Sequence, residues 1–264
     1  MSLDPSDGMP RETITPAESF TALLRSRGVD PRWDLPTGVS AREAPEGTTV
    51  LAFRYADGVV MAGDRRATAG NVIAHRRIQK VFPADRFSAV AISGTAGIAI
   101  ELVRLFQTEL EHYEKLEGRR LTLVGKANHL AAMVRGHLPM AFQGLVVIPI
   151  FCGYDEQEHI GRLYSYDVVG GSYEETDYAT EGSGGRDARL FLRTAFTPDL
   201  GAEAAIDLAV AALVAAAEED TGTGGPDLRR EIYPNVATVS ASGYAEVAEE
   251  RVAAAARHAM ERSS

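Results

Sequence analysis

Cysteine and long apolar runs are almost absent from this sequence. Its single cysteine, Cys152, excludes an intrachain disulfide and indicates a reducing compartment. No apolar run approaches the roughly 20 residues that a membrane-spanning helix requires. The N-terminus shows neither the basic start nor the short apolar stretch of a secretory signal. We therefore expect a cytoplasmic protein that does not interact with membranes.

Positive charge is scarce as well. The 264 residues include 27 Lys and Arg against 37 Asp and Glu, which gives a formal net charge of −10. This balance argues against a nucleic-acid groove or an anionic membrane surface as a partner. Apolar residues make up 45% of the chain and charged residues 24%, a composition typical of a globular protein with a sizeable core.

Sequence motifs for metals and common cofactors are also missing. There is no HExxH, no cysteine cluster and no ligand spacing among the six histidines, so we expect no metal site. The Gly-rich stretches GSGGRD and TGTGGP match neither a P-loop nor a dinucleotide fingerprint, and the GxSxG nucleophile elbow is absent. We therefore expect no cofactor. Cys152 lies inside the apolar run VVIPIFCGY and is interpreted as a core residue rather than a nucleophile.

The residues that are present change in character at Thr48. Six prolines and scattered charges of both signs predict a largely irregular extension over residues 1–47. The strands predicted after it are TTVLAFRY, VVMAGD, RRIQKVF, FSAVAISG, LVVIPIFCGY, GRLYSYDVV, SYEETDYA and NVATVSAS, the first two joined by a hairpin at Asp57-Gly58. The predicted helices cover residues 97–116, 122–137, 184–195, 202–219 and 245–262.

The order of these elements indicates an α+β fold. Strands occur in groups and helices occur in groups, which favours antiparallel sheets with helices layered outside over alternating βα units. Several strands are apolar throughout and must be buried on both faces. A four-layer αββα sandwich, with two stacked antiparallel sheets between helical layers, satisfies both requirements.

Lysine is rare, and one of the three lysines is unusual. Lys115 and Lys126 lie in polar, helix-like segments, where a solvated helix face explains them. Lys80 lies in IQKVF among apolar neighbours, and a buried lysine needs a counter-charge. Asp64, at the end of VVMAGD, is the candidate partner.

The Gly47–Thr48 junction could supply a nucleophile and a base together. If Gly47 were cut away, Thr48 would carry a hydroxyl beside its own α-amine, whose ordinary pKa is about 7.7–8.0. A nearby lysine ammonium would lower that pKa and support loss of the hydroxyl proton.

Each of these residues also has an interpretation without chemistry. Thr48 and Thr49 are explained equally well as β-branched strand residues. Asp64 could be a turn residue and Lys80 an edge-strand charge that prevents wrong pairing. Gly94, in SGTAG, could simply end a strand and begin a helix. Only their combination favours a catalytic site.

The combination resembles a known family. Proteasome β-subunits carry similar motifs, in the same order and at similar spacing, to EGTTVLAFRYADGVVMAGDRRAT, RRIQKVF, ISGTAGIAIE, EGSGGRDA and EEDTGTGG. The chain resembles the actinobacterial type over essentially all of residues 47–242. The resemblance implies the N-terminal nucleophile (Ntn) hydrolase form of the αββα sandwich. It further implies a propeptide, residues 1–47, that is removed autocatalytically, and a catalytic domain, residues 48–264.

The resemblance implies a role for each catalytic position. Thr48 matches the nucleophile and supplies the α-amine as base, and the cleavage site is the bond from Gly47 to Thr48. Asp64 and Lys80 match the charged pair that tunes the threonine. Gly94 matches the residue whose backbone N–H binds the oxyanion, beside the N-terminus of a helix.

Further residues follow from the same resemblance. Ser183 and Asp220 match the residues that orient the threonine amine and a nearby water. Thr223 stands where the family commonly has a serine, and it keeps the hydroxyl. The implied substrate pocket is uncharged, so we expect cleavage after apolar residues. Its lining is Ala67, Thr68, Ile78, Phe82, Ile92, Ala96 and Ile100.

The resemblance also implies partners. These are proteasome α-subunits, homo-heptameric β-rings in a stacked four-ring barrel, a regulatory ATPase, and unfolded or Pup-tagged protein substrates. Three alternatives remain open: an HslV-like threonine protease, a catalytically silent structural ring subunit, and an Ntn hydrolase that acts on small amides. The acidic DTGTGG loop argues against HslV, and Thr48, Asp64, Lys80 and Gly94 together argue against a silent subunit.

Overall fold

The computed structural model describes residues 47–263, and several strands in this range are buried on both faces. Twelve strands form in this range: β1 Thr49–Tyr55, β2 Gly58–Gly63, β3 Ala67–Ala69, β4 Val72–His75, β5 Val81–Asp85, β6 Ser88–Gly94, β7 Val147–Asp155, β8 Ile160–Tyr166, β9 Ser172–Glu175, β10 Tyr178–Gly182, β11 Asn235–Ser240 and β12 Gly243–Glu246. The irregular extension expected over residues 1–47 lies, apart from Gly47, outside the described residues.

Helices occupy the segments between these groups of strands. Six are found in residues 47–263: α1 Ala96–Glu117, α2 Leu123–Gly136, α3 Leu138–Ala141, α4 Gly185–Ala195, α5 Ala202–Glu219 and α6 Glu249–Ser263. Thr122 caps α2, because its side-chain oxygen accepts a hydrogen bond from the Gly125 N–H at 3.2 Å. None of the helices described is long and apolar enough to cross a membrane.

The strands pair in two five-stranded antiparallel sheets. The first sheet has the order β10-β1-β2-β11-β12 and the second the order β5-β6-β7-β8-β9, while β3 and β4 form a separate two-stranded ribbon. Because side chains alternate along a strand, each sheet has two apolar faces to cover. This requirement decides how the layers stack.

Three apolar clusters separate four layers. Val50 of β1 packs with Ile150 of β7 in a cluster between the two sheets. The next residue, Leu51, belongs to a cluster between the first sheet and α4, α5 and α6. A third cluster joins the second sheet to α1 and α2. The predicted α+β class and αββα sandwich are therefore confirmed.

Cys152 lies in the cluster between the sheets and is fully buried. Burial raises the pKa of its thiol, because the thiolate would be poorly solvated there. The interpretation of Cys152 as a core residue is confirmed. Within residues 47–263, no three His, Cys, Asp or Glu side chains come together in a way that could hold a metal ion.

Two strand predictions near the start of the domain are wrong in detail. The first hairpin turns at Ala56 and Asp57, one residue earlier than predicted, because Tyr55 pairs with Gly58. The segment RRIQKVF is not one strand, since only its last residues enter β5. The backbone N–H of Lys80 donates to the Asn235 side chain instead of to a sheet ladder. Lys80 thus precedes β5 rather than lying within it.

Later boundaries differ for related reasons. The run SYEETDYA divides into β9 and β10, which lie in different sheets, so the chain crosses between sheets at Thr176 and Asp177. The last helix begins at Glu249 rather than residue 245, because Gly243–Glu246 pairs with β11 as β12. Pro139 follows the end of α2 as predicted, and it then enters the short α3, where a proline is tolerated in the first turn.

The interpretation of Lys126 as part of a solvated helix face is wrong. Lys126 is buried on α2, and its Nζ lies 2.5 Å from Asp85 Oδ2. Asp85 also accepts hydrogen bonds from the Phe87 N–H and the Ser88 hydroxyl. The pair attaches α2 to the β5–β6 hairpin, a distant partner that helical spacing does not reveal. Lys115 is exposed as expected and pairs with Glu111 on its own helix.

Lys126→Met should be strongly destabilising, because it leaves the Asp85 carboxylate in a nearly buried site without its counter-charge. We expect the free energy of unfolding to fall by about 3 kcal/mol. The matched control is Lys115→Met, which removes an exposed ion pair and should leave the free energy of unfolding nearly unchanged. Urea unfolding followed by circular dichroism measures the stability of both variants. Equal losses of stability would contradict a buried ion pair between Lys126 and Asp85.

Candidate active site

The candidate active site forms where β1 begins. The β1–β2 hairpin places Asp64, just after β2, opposite Thr49: the Asp64 N–H donates to the Thr49 carbonyl at 3.0 Å. On the other side of β1, Gly182 pairs with Thr49, and the Ser183 N–H donates to the Thr48 carbonyl at 2.8 Å. Sheet pairing therefore brings segments that are far apart in sequence to both sides of Thr48.

A buried ion pair lies beneath this point. Lys80 Nζ is 2.5 Å from Asp64 Oδ1, and the residues are 2% and 0% exposed. Burial lowers the pKa of Lys80, since the ammonium has lost its water, while the Asp64 carboxylate acts in the opposite direction. The structure thus places together the two charges that the sequence suggested as partners.

Each carboxylate oxygen of Asp64 accepts two hydrogen bonds, which together hold the side chain in place. Oδ1 accepts the Thr49 N–H at 2.8 Å in addition to Lys80. Oδ2 accepts the backbone N–H groups of Arg66 and Gly224, each at 2.8 Å. A carboxylate with this many donors has little freedom to rotate.

Lys80 reaches from this pair to the predicted cleavage site. Its Nζ donates to the carbonyl oxygen of Gly47 at 3.1 Å and to that of Arg66 at 2.6 Å. The ammonium therefore has three acceptors, one of which belongs to the Gly47–Thr48 peptide bond. Thr48 itself is only 6% exposed.

Gly47 occupies a position that other residues could not adopt. Its φ is +86°, in the region that favours glycine. A Cβ added there would collide with the Thr68 hydroxyl and would come within 3.2 Å of the Gly222 carbonyl oxygen. Both backbone conformation and space therefore require glycine immediately before Thr48.

A second polar cluster lies around Asp220, after α5. Asp220 Oδ2 accepts the Ser183 hydroxyl at 2.5 Å and the Thr223 hydroxyl at 2.6 Å, and Oδ1 accepts the Gly222 N–H at 3.1 Å. Partial burial alone would raise the pKa of Asp220. The hydrogen bonds from Ser183, Thr223 and Gly222 outweigh burial and hold that pKa below its usual value.

Gly94 ends β6, immediately before the Thr95 cap of α1. Its φ is +97°, and a Cβ there would collide with the Val146 carbonyl oxygen, so the backbone alone faces the neighbouring strand. The backbone N–H of a residue near a helix N-terminus is a suitable donor to a developing negative charge.

The predicted pocket residues fall into two groups. Phe82, Ile92 and Ile100 lie in the apolar cluster between the second sheet and the α1–α2 layer. The other four lie outside that cluster. These are Ala67 and Thr68 on β3, Ile78 in the loop before β5, and Ala96 at the start of α1.

Sequence reasoning missed two residues of this site. Thr49 was interpreted only as a strand residue, yet its N–H donates to Asp64 and its hydroxyl lies 2.6 Å from that of Thr223. The Arg66 guanidinium donates to the Thr221 carbonyl at 2.9 Å. Arg66 stands two positions after Asp64, where an aspartate commonly accepts the backbone N–H, and this spacing could have identified it.

An αββα sandwich of two antiparallel sheets, with polar groups gathered at the start of β1, has the architecture of the Ntn-hydrolase fold. Comparison with known proteins agrees. A family model described as "Proteasome subunit" matches residues 44–227.

Individual relatives match most of the chain. "Proteasome subunit beta" of Acidimicrobium ferrooxidans is 53% identical over 240 residues, which cover 90% of this chain and 87% of that protein. The protein of the same description from Acidothermus cellulolyticus is 51% identical over 243 residues, 90% and 84% of the two chains. That of Streptomyces griseus subsp. griseus is 51% identical over 258 residues, 96% and 92%. The chain belongs to the proteasome subunit family, with β-subunits of actinobacteria among its relatives.

Asp64→Asn tests the electrostatics of the site. The variant leaves Lys80 buried without a counter-charge, so we expect the free energy of unfolding to fall by about 3 kcal/mol at neutral pH. Losing the carboxylate should lower the pKa of Lys80 further. The folded variant then binds fewer protons than the unfolded chain, in which Lys80 titrates near its ordinary value of 10.5. Stability should therefore recover as pH rises toward that value.

The matched control is the double variant Asp64→Asn, Lys80→Met, which carries no buried charge at this position. Its stability should exceed that of Asp64→Asn and should lack the alkaline recovery. Urea unfolding at several pH values measures all three proteins. An Asp64→Asn protein with the same pH dependence as the double variant would mean that the pKa of Lys80 is equal in the folded and unfolded chains, which would contradict a buried Lys80 ammonium without a counter-charge.

Proposed function

We propose that this chain is the precursor of a threonine endopeptidase, a catalytic β-subunit of the proteasome core. Membership of the family makes it a proteasome core subunit. The observation that carries the catalytic proposal is the position of Lys80, whose ammonium contacts both Asp64 and the carbonyl oxygen of Gly47. A buried charge is costly, and an apolar side chain would pack there at lower cost. The presence of a buried lysine at this position therefore favours chemistry at the Gly47–Thr48 bond.

Processing follows from the atoms at this junction. Thr48 Oγ attacks the carbonyl carbon of Gly47, the C–N bond breaks, and the hydroxyl proton ends on the departing nitrogen. Gly47 is then held as an ester on Thr48 Oγ until water hydrolyses it and releases residues 1–47 as a carboxylate. Lys80, 3.1 Å from the Gly47 oxygen, supports the negative charge that develops there.

The same step creates the enzyme. Before cleavage the nitrogen of Thr48 is an amide and cannot act as a base, whereas afterwards it is an α-amine beside the hydroxyl. The Lys80 ammonium nearby lowers the pKa of that amine, so that more of it is neutral at physiological pH. Residues 1–47 therefore act as a propeptide, and residues 48–264 form the catalytic domain.

Peptide hydrolysis uses the free threonine. Its hydroxyl attacks the substrate carbonyl while its amine takes the proton, and the Gly94 N–H binds the oxyanion. The amine then protonates the leaving nitrogen, and water hydrolyses the acyl-enzyme. Ser183, Asp220 and Thr223 orient the amine and this water, in keeping with the hydrogen bonds that already join them.

The substrate and partners follow from the family and from the pocket. The lining is uncharged, and three of its members, Phe82, Ile92 and Ile100, belong to one apolar cluster. We infer cleavage after apolar residues. Assembly would involve α-subunits, homo-heptameric β-rings in a four-ring barrel and a regulatory ATPase that delivers unfolded or Pup-tagged proteins in the cytoplasm.

Processing and active-site labelling test the proposal directly. After co-assembly with α-subunits, intact-mass measurement should show loss of residues 1–47 and then addition of one peptide epoxyketone. That adduct requires both a free threonine amine and its hydroxyl. Thr48→Ala should show neither change, and Lys80→Met should process at least about 100-fold more slowly. A Thr48→Ala chain that is processed normally would overturn the mechanism and favour a silent structural subunit.

Fluorogenic peptides test the substrate preference. Peptides that differ only in the residue before the scissile bond should be cleaved at least about 10-fold faster when that residue is apolar than when it is Arg or Glu, because an uncharged pocket disfavours an unpaired charge. Assemblies that carry Thr48→Ala supply the background of contaminating peptidases. Dominant cleavage after arginine would contradict the pocket assignment while leaving the nucleophile untouched.

A further inference from the structure

Thr49 occupies an unusual position for a residue that only completes a strand. It is fully buried at the first position of β1. Its N–H donates to Asp64 Oδ1 at 2.8 Å, and its hydroxyl contacts two segments far along the chain, at Gly184 and Thr223. Thr49 is therefore bonded to both polar clusters of the site and is covalently attached to Thr48.

The direction of these hydrogen bonds can be deduced by counting protons. A threonine hydroxyl has one proton to donate, and an ionised carboxylate only accepts. The Thr223 hydroxyl donates its proton to Asp220 Oδ2 at 2.6 Å. The 2.6 Å contact between the two threonine hydroxyls must then be donated by Thr49.

The remaining contact completes a directed chain. The Gly184 N–H donates to Thr49 Oγ1 at 2.9 Å, so the Thr49 oxygen is an acceptor on that side. The chain thus runs from Gly184 through Thr49 and Thr223 to the Asp220 carboxylate. Hydrogen bonds in such a chain strengthen one another, so that a donor at one end affects the charge at the other.

We propose that Thr49 is a positioning residue for this site, which fixes the Asp220–Thr223–Ser183 cluster relative to Thr48 through its hydroxyl. The proposal rests on the function proposed above. The Thr49 amide holds the Asp64–Lys80 pair in register with β1, and the Thr49 hydroxyl holds the Asp220 loop. The two charged clusters are thereby kept at a constant distance from the nucleophile on the adjacent residue.

The chemical change that tests this is Thr49→Val, which keeps the β-branched shape and removes the hydroxyl. The Gly184 N–H then loses its acceptor, and Thr223 becomes a weaker donor to Asp220. Hydroxyl and backbone hydrogen bonds hold the pKa of Asp220 down, so a weaker bond from Thr223 should raise that pKa in the variant. Activity that needs the ionised carboxylate is then lost at a higher pH as the solution is acidified.

The measurement is the pH profile of kcat and of kcat/KM for an apolar fluorogenic peptide, using the full chain co-assembled with α-subunits. Rates are divided by the number of Thr48 sites that an epoxyketone labels, which removes any effect on processing. For Thr49→Val we expect kcat to fall by about 10-fold or more with KM nearly unchanged, as for a misplaced catalytic group. The acidic limb should move to higher pH.

Two further variants separate positioning from simple packing. Thr49→Ser retains the hydroxyl and should restore the wild-type profile. Thr180→Val makes the same chemical change at a buried threonine of the paired strand β10 and should leave both kcat and the profile unchanged. If Thr49→Val does not assemble, Thr49→Ala takes its place in the comparison with Thr49→Ser.

The possible failures are distinguishable. Wild-type assemblies that are not labelled at Thr48 would overturn the proposed function itself. Labelled wild type together with an unchanged kcat and pH profile in Thr49→Val would overturn only the role of Thr49. Equal profiles for Thr49→Ala and Thr49→Ser would do the same, because the two differ in the hydroxyl.

Discussion

The buried ion pair between Asp64 and Lys80 is the interaction on which the rest of the site depends. Two charges without water are tolerated only when each is paired and hydrogen-bonded. Asp64 meets this condition with four donors, from Thr49, Lys80, Arg66 and Gly224. Each donor comes from a different segment, so satisfying one carboxylate also fixes the start of β1, the chain after β2, and the loop after α5. Placement of the polar groups and stability of the fold therefore have the same physical origin.

The sandwich supplies the rigidity that this arrangement needs. The β1 strand is paired on both sides, by β2 and β10, and its two faces are buried in different apolar clusters. If such a strand slipped by one residue, every side chain would move from one apolar cluster to the other. The residues at its beginning are consequently fixed in register, and the Gly47–Thr48 bond lies between two charged clusters in a defined orientation. The fold thereby holds an otherwise ordinary dipeptide in contact with both polar clusters.

Much of this could be predicted from local patterns. Apolar spacing predicted α1, α2, α4 and α5 to within a residue or two, because helix periodicity is a property of the segment itself. The scarcity of lysine singled out Lys80, and the chemistry of a buried ammonium pointed to Asp64. Lys126 shows the limit of the same reasoning. It occurs in a helix that appears amphipathic, and its partner Asp85 is contributed by a hairpin that no local pattern relates to it.

The sequence by itself determined the class of fold, the extents of the longer helices and the residue types available for chemistry, since these depend on composition and short-range spacing. Only the tertiary structure decided which groups meet. It divided one predicted strand between β9 and β10 of different sheets, placed Lys80 before a strand rather than in it, and directed its ammonium to Gly47. It also joined Thr49 to Thr223 across 174 positions. Such contacts arise from strand order and loop packing, where hydrogen bonds between distant segments of the chain outweigh local conformational preference.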